Sequence, residues 1–209
     1  APTYQVNGQP AGRVYVYSGK SGKLLWKHTG QPGDQLGIGI ECAGDANHDG
    51  IPDVIAAAPG VGKAYVYSGK DGRVLLTLTG DVNESFGRHT STAGDVNGDG
   101  YADVMVGVPG NNSAGQGAGR AYVYSGKDGA MLLTLDGERP GDAFGSAVAG
   151  YQDKRHHFLI IGAPSAGARN TGRVYVYSGM SKTPKFVFDA DETAAQFGRM
   201  FLSVVGDIN

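Results

Sequence analysis

One five-residue string, Tyr-Val-Tyr-Ser-Gly, occurs four times in the 209-residue chain, starting at residues 15, 65, 122 and 175. The steps between successive copies are 50, 57 and 53 residues. A second marker, a bulky apolar residue followed by glycine, starts at residues 36, 86, 144 and 197 with nearly the same steps. Because both markers keep their order and spacing, the sequence contains an internal repeat of 50-odd residues.

Each repeat contains four short apolar runs, and these predict four β-strands. The Tyr-Val-Tyr copies alternate with a period of two and use strongly β-forming residue types. Glycine-bounded turns at 68–72 and 125–129 follow two of these copies and favour hairpins. The chain has 36 glycines and 40% hydrophobic residues, enough turn and core material for many short strands. This pattern predicts an all-β fold, a β-propeller built of four-stranded antiparallel blades.

We expect a single propeller segment over residues 1–209, with repeat units at about 36–85, 86–143 and 144–196. A further repeat is split between residues 197–209 and 1–35, so the chain is expected to form a partial ring or a small closed one. Its two ends cut through the repeat, which suggests a fragment of a longer propeller. An open arc would expose apolar faces and strand edges, which favours a homodimer or ring closure by self-association.

Two loops between the first and second strands carry metal-binding chemistry, and both fit the pattern D-x-N-x-D-G-x-x-D. Alternate oxygen-bearing side chains can converge on one hard cation, and the glycine permits the sharp turn that they need. An oxygen-only donor set without His or Cys suits Ca²⁺. The predicted ligands are Asp45, Asn47, Asp49, the Ile51 carbonyl and Asp53 in the first loop, and Asp95, Asn97, Asp99, the Tyr101 carbonyl and Asp103 in the second.

Neither loop is an EF-hand, because position twelve is Ala56 or Val106 where an EF-hand needs a glutamate. A turn without metal is the simpler alternative, but two copies at equal repeat positions favour a calcium site. The third repeat differs, since its loop at 151–157 carries one acid and up to four basic groups. We therefore expect two complete calcium sites and an empty third repeat.

The order Phe-Gly, then D-x-N-x-D-G-x-x-D, then Gly-Ala-Pro resembles the FG-GAP repeat of integrin α-subunit head domains and their bacterial relatives. The resemblance covers essentially the whole chain. It implies the blades of a propeller, commonly seven-bladed, with structural Ca²⁺ bound in the two loops named above. It also implies a non-catalytic scaffold for recognition or cell adhesion, located outside the cell, at its surface or in the periplasm, with a protein or glycan ligand.

Composition and motifs exclude several other function classes. The net charge of −2 argues against a nucleic-acid partner, and no apolar run is long enough for a membrane span. No catalytic triad or cofactor fingerprint is present, and Cys42, the single cysteine, is expected to be a small buried thiol. The alternative is a glycan-binding module or the scaffold of a polysaccharide lyase or phospholipase-type enzyme. For a lyase, Arg155, His156 and His157 are the local candidates.

Overall fold

The computed structural model describes residues 1–153, 156–191, 196–200 and 202–203. Sixteen strands lie in this part of the chain, together with two short 3-10 helices at Pro59–Val61 and Val82–Glu84. The strands are β1 (Gln5–Val6), β2 (Gln9–Pro10), β3 (Arg13–Tyr17), β4 (Leu24–Thr29), β5 (Ile40–Gly44), β6 (Asp53–Ala58), β7 (Lys63–Tyr67), β8 (Val74–Thr79), β9 (His89–Gly94), β10 (Asp103–Val108), β11 (Arg120–Tyr124), β12 (Met131–Asp136), β13 (Ala147–Gln152), β14 (His157–Ala163), β15 (Arg173–Ser178) and β16 (Phe186–Asp189).

Three sheets contain four strands each, and every strand pairs antiparallel with its sequence neighbour. Blade 1 has the order β5-β6-β7-β8, blade 2 contains β9 to β12, and blade 3 contains β13 to β16. Strands β3 and β4 form a separate two-stranded sheet, as do β1 and β2. The predicted all-β fold with four-stranded antiparallel propeller blades is confirmed. Neither 3-10 helix is long and apolar enough to cross a membrane, and the described residues hold no other helix.

The repeated tyrosines pack between blades. Tyr122 and Tyr124 of blade 2 lie against the buried side chains of Val66 and Leu78 in blade 1. The equivalent tyrosines of blade 3 belong to one cluster with buried side chains of blade 2, including Met105. Because alternate residues of a strand share one face, the Tyr-Val-Tyr pattern predicts this packing, and the structure confirms it.

The bulky residues of the first three markers, Leu36, Phe86 and Phe144, are buried at the junctions between neighbouring sheets. Phe144 is fully buried and forms an isolated parallel bridge with Gly119. Gly119 has a φ of +82°, and a Cβ there would lie 2.2 Å from the carbonyl oxygen of Phe144. Only glycine permits this approach of two backbones. The corresponding Phe197, after blade 3, remains 40% exposed.

The first strands of the three blades are the innermost. Strand β9 contacts both β5 and β13, so these strands lie side by side along the inner edge of the blades. The three inner strands line one channel. Each inner strand begins at one end of this channel, and the loop that follows it lies at the other end. Cys42, on β5, is exposed, so the expectation of a buried thiol is wrong. The reason is that Cys42 lines the inner channel together with Glu41 and Tyr151 instead of facing a neighbouring blade.

The outer strands at both ends of the described structure expose apolar side chains. In β16, Phe186, Val187 and Phe188 are 49%, 43% and 51% exposed. At the other end, Tyr17 and Leu25 are 57% and 55% exposed. The end of the split repeat, residues 204–209, lies outside the described residues.

Candidate metal centre

Two loops at the same end of the inner strands carry the predicted calcium ligands. Loop 1 (residues 45–53) connects β5 to β6, and loop 2 (residues 95–103) connects β9 to β10. The last residue of each loop is already the first residue of a buried strand, so the loop is anchored at both ends. The two loops are adjacent because β5 and β9 are neighbouring inner strands.

The first aspartate of each loop organises the turn. In loop 1, Asp45 accepts hydrogen bonds from the backbone N–H groups of Asp49 (3.0 Å) and Gly50 (2.8 Å). In loop 2, Asp95 accepts the equivalent bonds from Asp99 (3.0 Å) and Gly100 (2.9 Å). The backbone of each loop therefore curls around its first carboxylate.

The second aspartate of each loop and the glycine after it complete the turn. Asp99 Oδ1 accepts from the backbone N–H of Tyr101 at 3.0 Å, and Asp49 makes the same bond to Ile51. Gly50 and Gly100 have φ values of +82° and +88°, a region that favours glycine. The sharp turn that the pattern predicts is thus present in both loops.

The asparagine of loop 1 provides the clearest sign of a missing partner. Asn47 Oδ1 is buried and has no hydrogen-bond donor among the residues that the structure describes. Its amide nitrogen donates to Asp53 Oδ1 at 3.4 Å, so the assigned orientation leaves the oxygen unpaired. A buried acceptor without a partner costs about 1–3 kcal/mol, and a bound cation would remove that cost. In loop 2, Asn97 Oδ1 instead accepts from the Asp99 N–H at 3.0 Å.

The last aspartate of each loop has a second role that sequence reasoning missed. Asp103 is fully buried, and its carboxylate accepts from the backbone N–H groups of Val96 (2.9 Å) and Gly126 (3.1 Å). Gly126 lies in the turn after β11, so this side chain ties loop 2 to the hairpin of its own blade. Asp53 makes the equivalent bond to Gly69 at 2.9 Å. The available signal was that both pairs occupy equivalent positions of the repeat, although 16 residues separate the first pair and 23 the second.

Burial raises the pKa of Asp103 to about 6, although the two backbone N–H bonds oppose this effect. The nearby charges of Asp99 and Asp95 raise it further. Burial also raises the pKa of Asp53. A divalent cation beside such carboxylates would stabilise their charged form, because an opposite charge lowers a carboxyl pKa.

Carboxylates alone do not make the site. Within the described ranges, no three His, Cys, Asp or Glu side chains are gathered closely enough to hold a metal ion. The donor set that fits instead combines carboxylates with the asparagine side chain and the carbonyl at position seven, as hard oxygen-loving cations allow. The unpaired Asn47 oxygen shows that loop 1 can supply a non-carboxylate donor.

Comparison with known proteins identifies the repeat. Residues 40–76 and 86–124 match the FG-GAP repeat, and the two segments contain loops 1 and 2. The chain therefore contains two FG-GAP repeats. No curated protein sequence matches it. A solved protein of unknown function from Bacteroides caccae resembles it with a TM-score of 0.46 and 13% identity, over 90% of this chain and 58% of that chain. The FG-GAP chain therefore spans less than two thirds of that protein.

The two FG-GAP loops touch each other through a histidine. His48, at position four of loop 1, places Nδ1 2.6 Å from the carbonyl oxygen of Gly100 in loop 2. Its ring also lies 5.6 Å from the ring of Tyr101. The equivalent residue of loop 2 is Gly98, and His48 has a φ of +57°, where glycine would be unstrained. Aligning the two loops shows that His48 stands where loop 2 has a glycine, but it does not show that His48 contacts Gly100.

The third repeat unit has a shorter connection at this position. Gln152 pairs with His157, so only residues 153–156 connect β13 to β14. Asp153 Oδ1 accepts from the His156 N–H at 2.8 Å, and the His156 ring stacks on Phe158. Of the other two lyase candidates, His157 is the first residue of β14, and Arg155 lies outside the described residues. That this unit binds no calcium stays a prediction.

Proposed function

We propose that this FG-GAP protein is a calcium-stabilised propeller that acts as a non-catalytic scaffold for recognition or adhesion outside the cytoplasm. The ions would be held by the two ligand sets predicted above. The observation that carries the proposal is the buried, unpaired Asn47 oxygen in a loop already curled around its first carboxylate. The same curl in loop 2 supports a second site.

Charge supports the same proposal. Each loop places three aspartates within nine residues, and the last of them is buried. Without a cation, the charged form of that carboxylate is unfavourable, as the raised pKa of Asp103 indicates. Open loops of this type bind Ca²⁺ with dissociation constants of about 10⁻⁴–10⁻³ M, which suits an extracellular calcium concentration. FG-GAP repeats are also typical of extracellular or surface proteins.

The recognition role rests on the family. FG-GAP repeat proteins are generally non-enzymatic scaffolds. The lyase alternative has little geometric support, because His156 is stacked on Phe158 and its backbone N–H is bound to Asp153. A glycan array and a lyase assay on acidic polysaccharides would separate binding from catalysis. Turnover of any polysaccharide would contradict the non-catalytic scaffold.

Calcium titration by calorimetry tests the metal sites directly. We expect saturation at two ions per chain and a melting temperature several degrees higher in calcium than in chelator. Binding to the folded state alone stabilises by about 1.4–2.7 kcal/mol per site at ten to a hundred times Kd. The double variant Asp49→Ala/Asp99→Ala should lose most of this difference.

A matched control removes two other aspartates at equivalent repeat positions. Asp71 and Asp128 each accept one backbone hydrogen bond in a hairpin turn and bind no predicted ion. Asp71→Ala/Asp128→Ala should therefore keep the full calcium effect. An unchanged melting temperature in chelator, after verified metal removal, would refute the calcium role. Saturation at three ions would refute the empty third repeat.

A further inference from the structure

A cavity of about 110 Å³ lies at the start of the inner strands. Its lining includes the residue directly after each Phe-Gly or Leu-Gly marker, one from every repeat. These are Ile38, Arg88, Ser146 and Arg199, and His89 and Met200 complete the lining. Four equivalent positions of the repeat therefore lie around one cavity. Loops 1 and 2 follow the other ends of β5 and β9, about 15–20 Å away for strands of five and six residues.

The cavity is lined by arginine and by no acid, and the nearest acid shown to act on its lining is Glu41, whose charge reaches His89. Two of its six lining residues are arginines, and none is Asp or Glu. Burial lowers the pKa of His89, so at neutral pH the charge comes from the two guanidinium groups. Arg199 donates to Gln196, a neutral acceptor, and forms no ion pair with any residue that the structure describes.

Two arginines of blades 2 and 3 are paired with acids, whereas Arg13, at the same position of β3, donates to Thr29. Arg120 donates to Asp136 at 2.5 Å, and Arg173 binds Asp189 at 2.7 Å. Both lie at the start of the third strand of their blade, where the pairing joins it to the fourth strand. Arg88 forms no ion pair with any residue in the described part of the chain. A guanidinium without an ion pair, lining the same cavity as a second guanidinium, is suited to an oxyanion.

We propose that this cavity binds a small oxyanion group, a carboxylate or a sulfate, between Arg88 and Arg199. A volume of about 110 Å³ exceeds the roughly 30 Å³ share of one water several times, so it admits such a group but not a whole oligomeric ligand. A guanidinium presents its N–H donors in a planar fork that matches carboxylate and sulfate oxygens. This inference goes beyond the calcium sites, because the cavity lies at the other end of the strands.

Titration with sodium sulfate and with sodium acetate, at constant ionic strength balanced by sodium chloride, tests the cavity. Backbone and arginine side-chain N–H signals in ¹H–¹⁵N spectra report binding. We expect at least one of the two anions to give saturable shifts at residues 38, 88 and 146. The double variant Arg88→Gln/Arg199→Gln should weaken that binding at least tenfold.

The control is Lys20→Gln, which removes one exposed positive charge from the turn between β3 and β4. It should bind the anion as the unmodified protein does. Linear, non-saturable shifts with both anions, or equal binding by the double arginine variant, would overturn the proposal. Running each titration in calcium and in chelator separates this site from the loops, because oxyanion binding should persist in chelator. The calcium-dependent melting difference, which the arginine variants should retain, shows that they remain folded.

Discussion

Replacing the buried carboxylate of loop 2 with an amide separates its structural role from its role toward calcium. The change Asp103→Asn keeps the shape and one oxygen that can accept from Val96 or Gly126. It removes the charge, whose unfavourable burial raises the pKa of Asp103 to about 6. A rise from 3.8 to about 6 corresponds to about 3 kcal/mol against the charged form. The amide hydrogens lack acceptors there, which costs about 1–3 kcal/mol.

These two effects nearly cancel in chelator at pH 7.5. We expect the free energy of unfolding of Asp103→Asn to equal that of the unmodified protein or to exceed it by up to about 2 kcal/mol. At ten to a hundred times Kd, calcium should stabilise the variant by about 1.4–2.7 kcal/mol less than the unmodified protein, because the contribution of loop 2 is lost. The assay is urea unfolding in chelator and in calcium. The equivalent Asp53→Asn variant should lose the other half of the calcium effect.

The pH dependence gives an independent check. Because the folded-state pKa of Asp103 is raised, this group stabilises the fold below its ordinary pKa, and that contribution disappears as pH rises through about 6. In chelator, the unmodified protein should therefore lose stability relative to Asp103→Asn between pH 4 and pH 7. If Asp103→Asn retains the full calcium effect, Asp103 is not a calcium ligand. If Asp103→Asn is as unstable in chelator as Asp103→Ala, the charged carboxylate is required for folding.

Three further changes test the contacts between loops, within a blade and at the end of the described structure. His48→Gly removes the bond to Gly100, and calorimetry should show that loop 2 binds calcium severalfold more weakly than in the unmodified protein. An unchanged calcium affinity of loop 2 would count against coupling between the two loops. Gly126→Ala should destabilise by more than about 2 kcal/mol in urea, because its Cβ would lie 1.9 Å from a backbone oxygen of loop 2; a neutral effect would contradict this packing. Phe186→Ser/Phe188→Ser should abolish self-association in light scattering, since both rings are about half exposed; a monomeric unmodified protein would refute the predicted assembly.

Much of the fold follows from local and periodic information. A strand alternates its faces every two residues, so the Tyr-Val-Tyr copies indicate which side chains pack between blades before any contact is known. The Asp-x-Asn-x-Asp-Gly pattern likewise indicates a curled loop, because its hydrogen bonds join residues two to five positions apart. Such short-range bonds depend on sequence spacing alone.

Only the tertiary structure decided how the repeats meet. His48 reaches Gly100 across 52 positions, and Asp103 reaches Gly126 across 23. Cys42 faces the inner channel and not a neighbouring blade, which alternation alone could not distinguish. Arg88 and Arg199 line one cavity because successive inner strands lie side by side around it. The sequence determines the fold of each repeat unit through local hydrogen bonds. Packing sets the distance and angle between units, and these determine which side chains share a site.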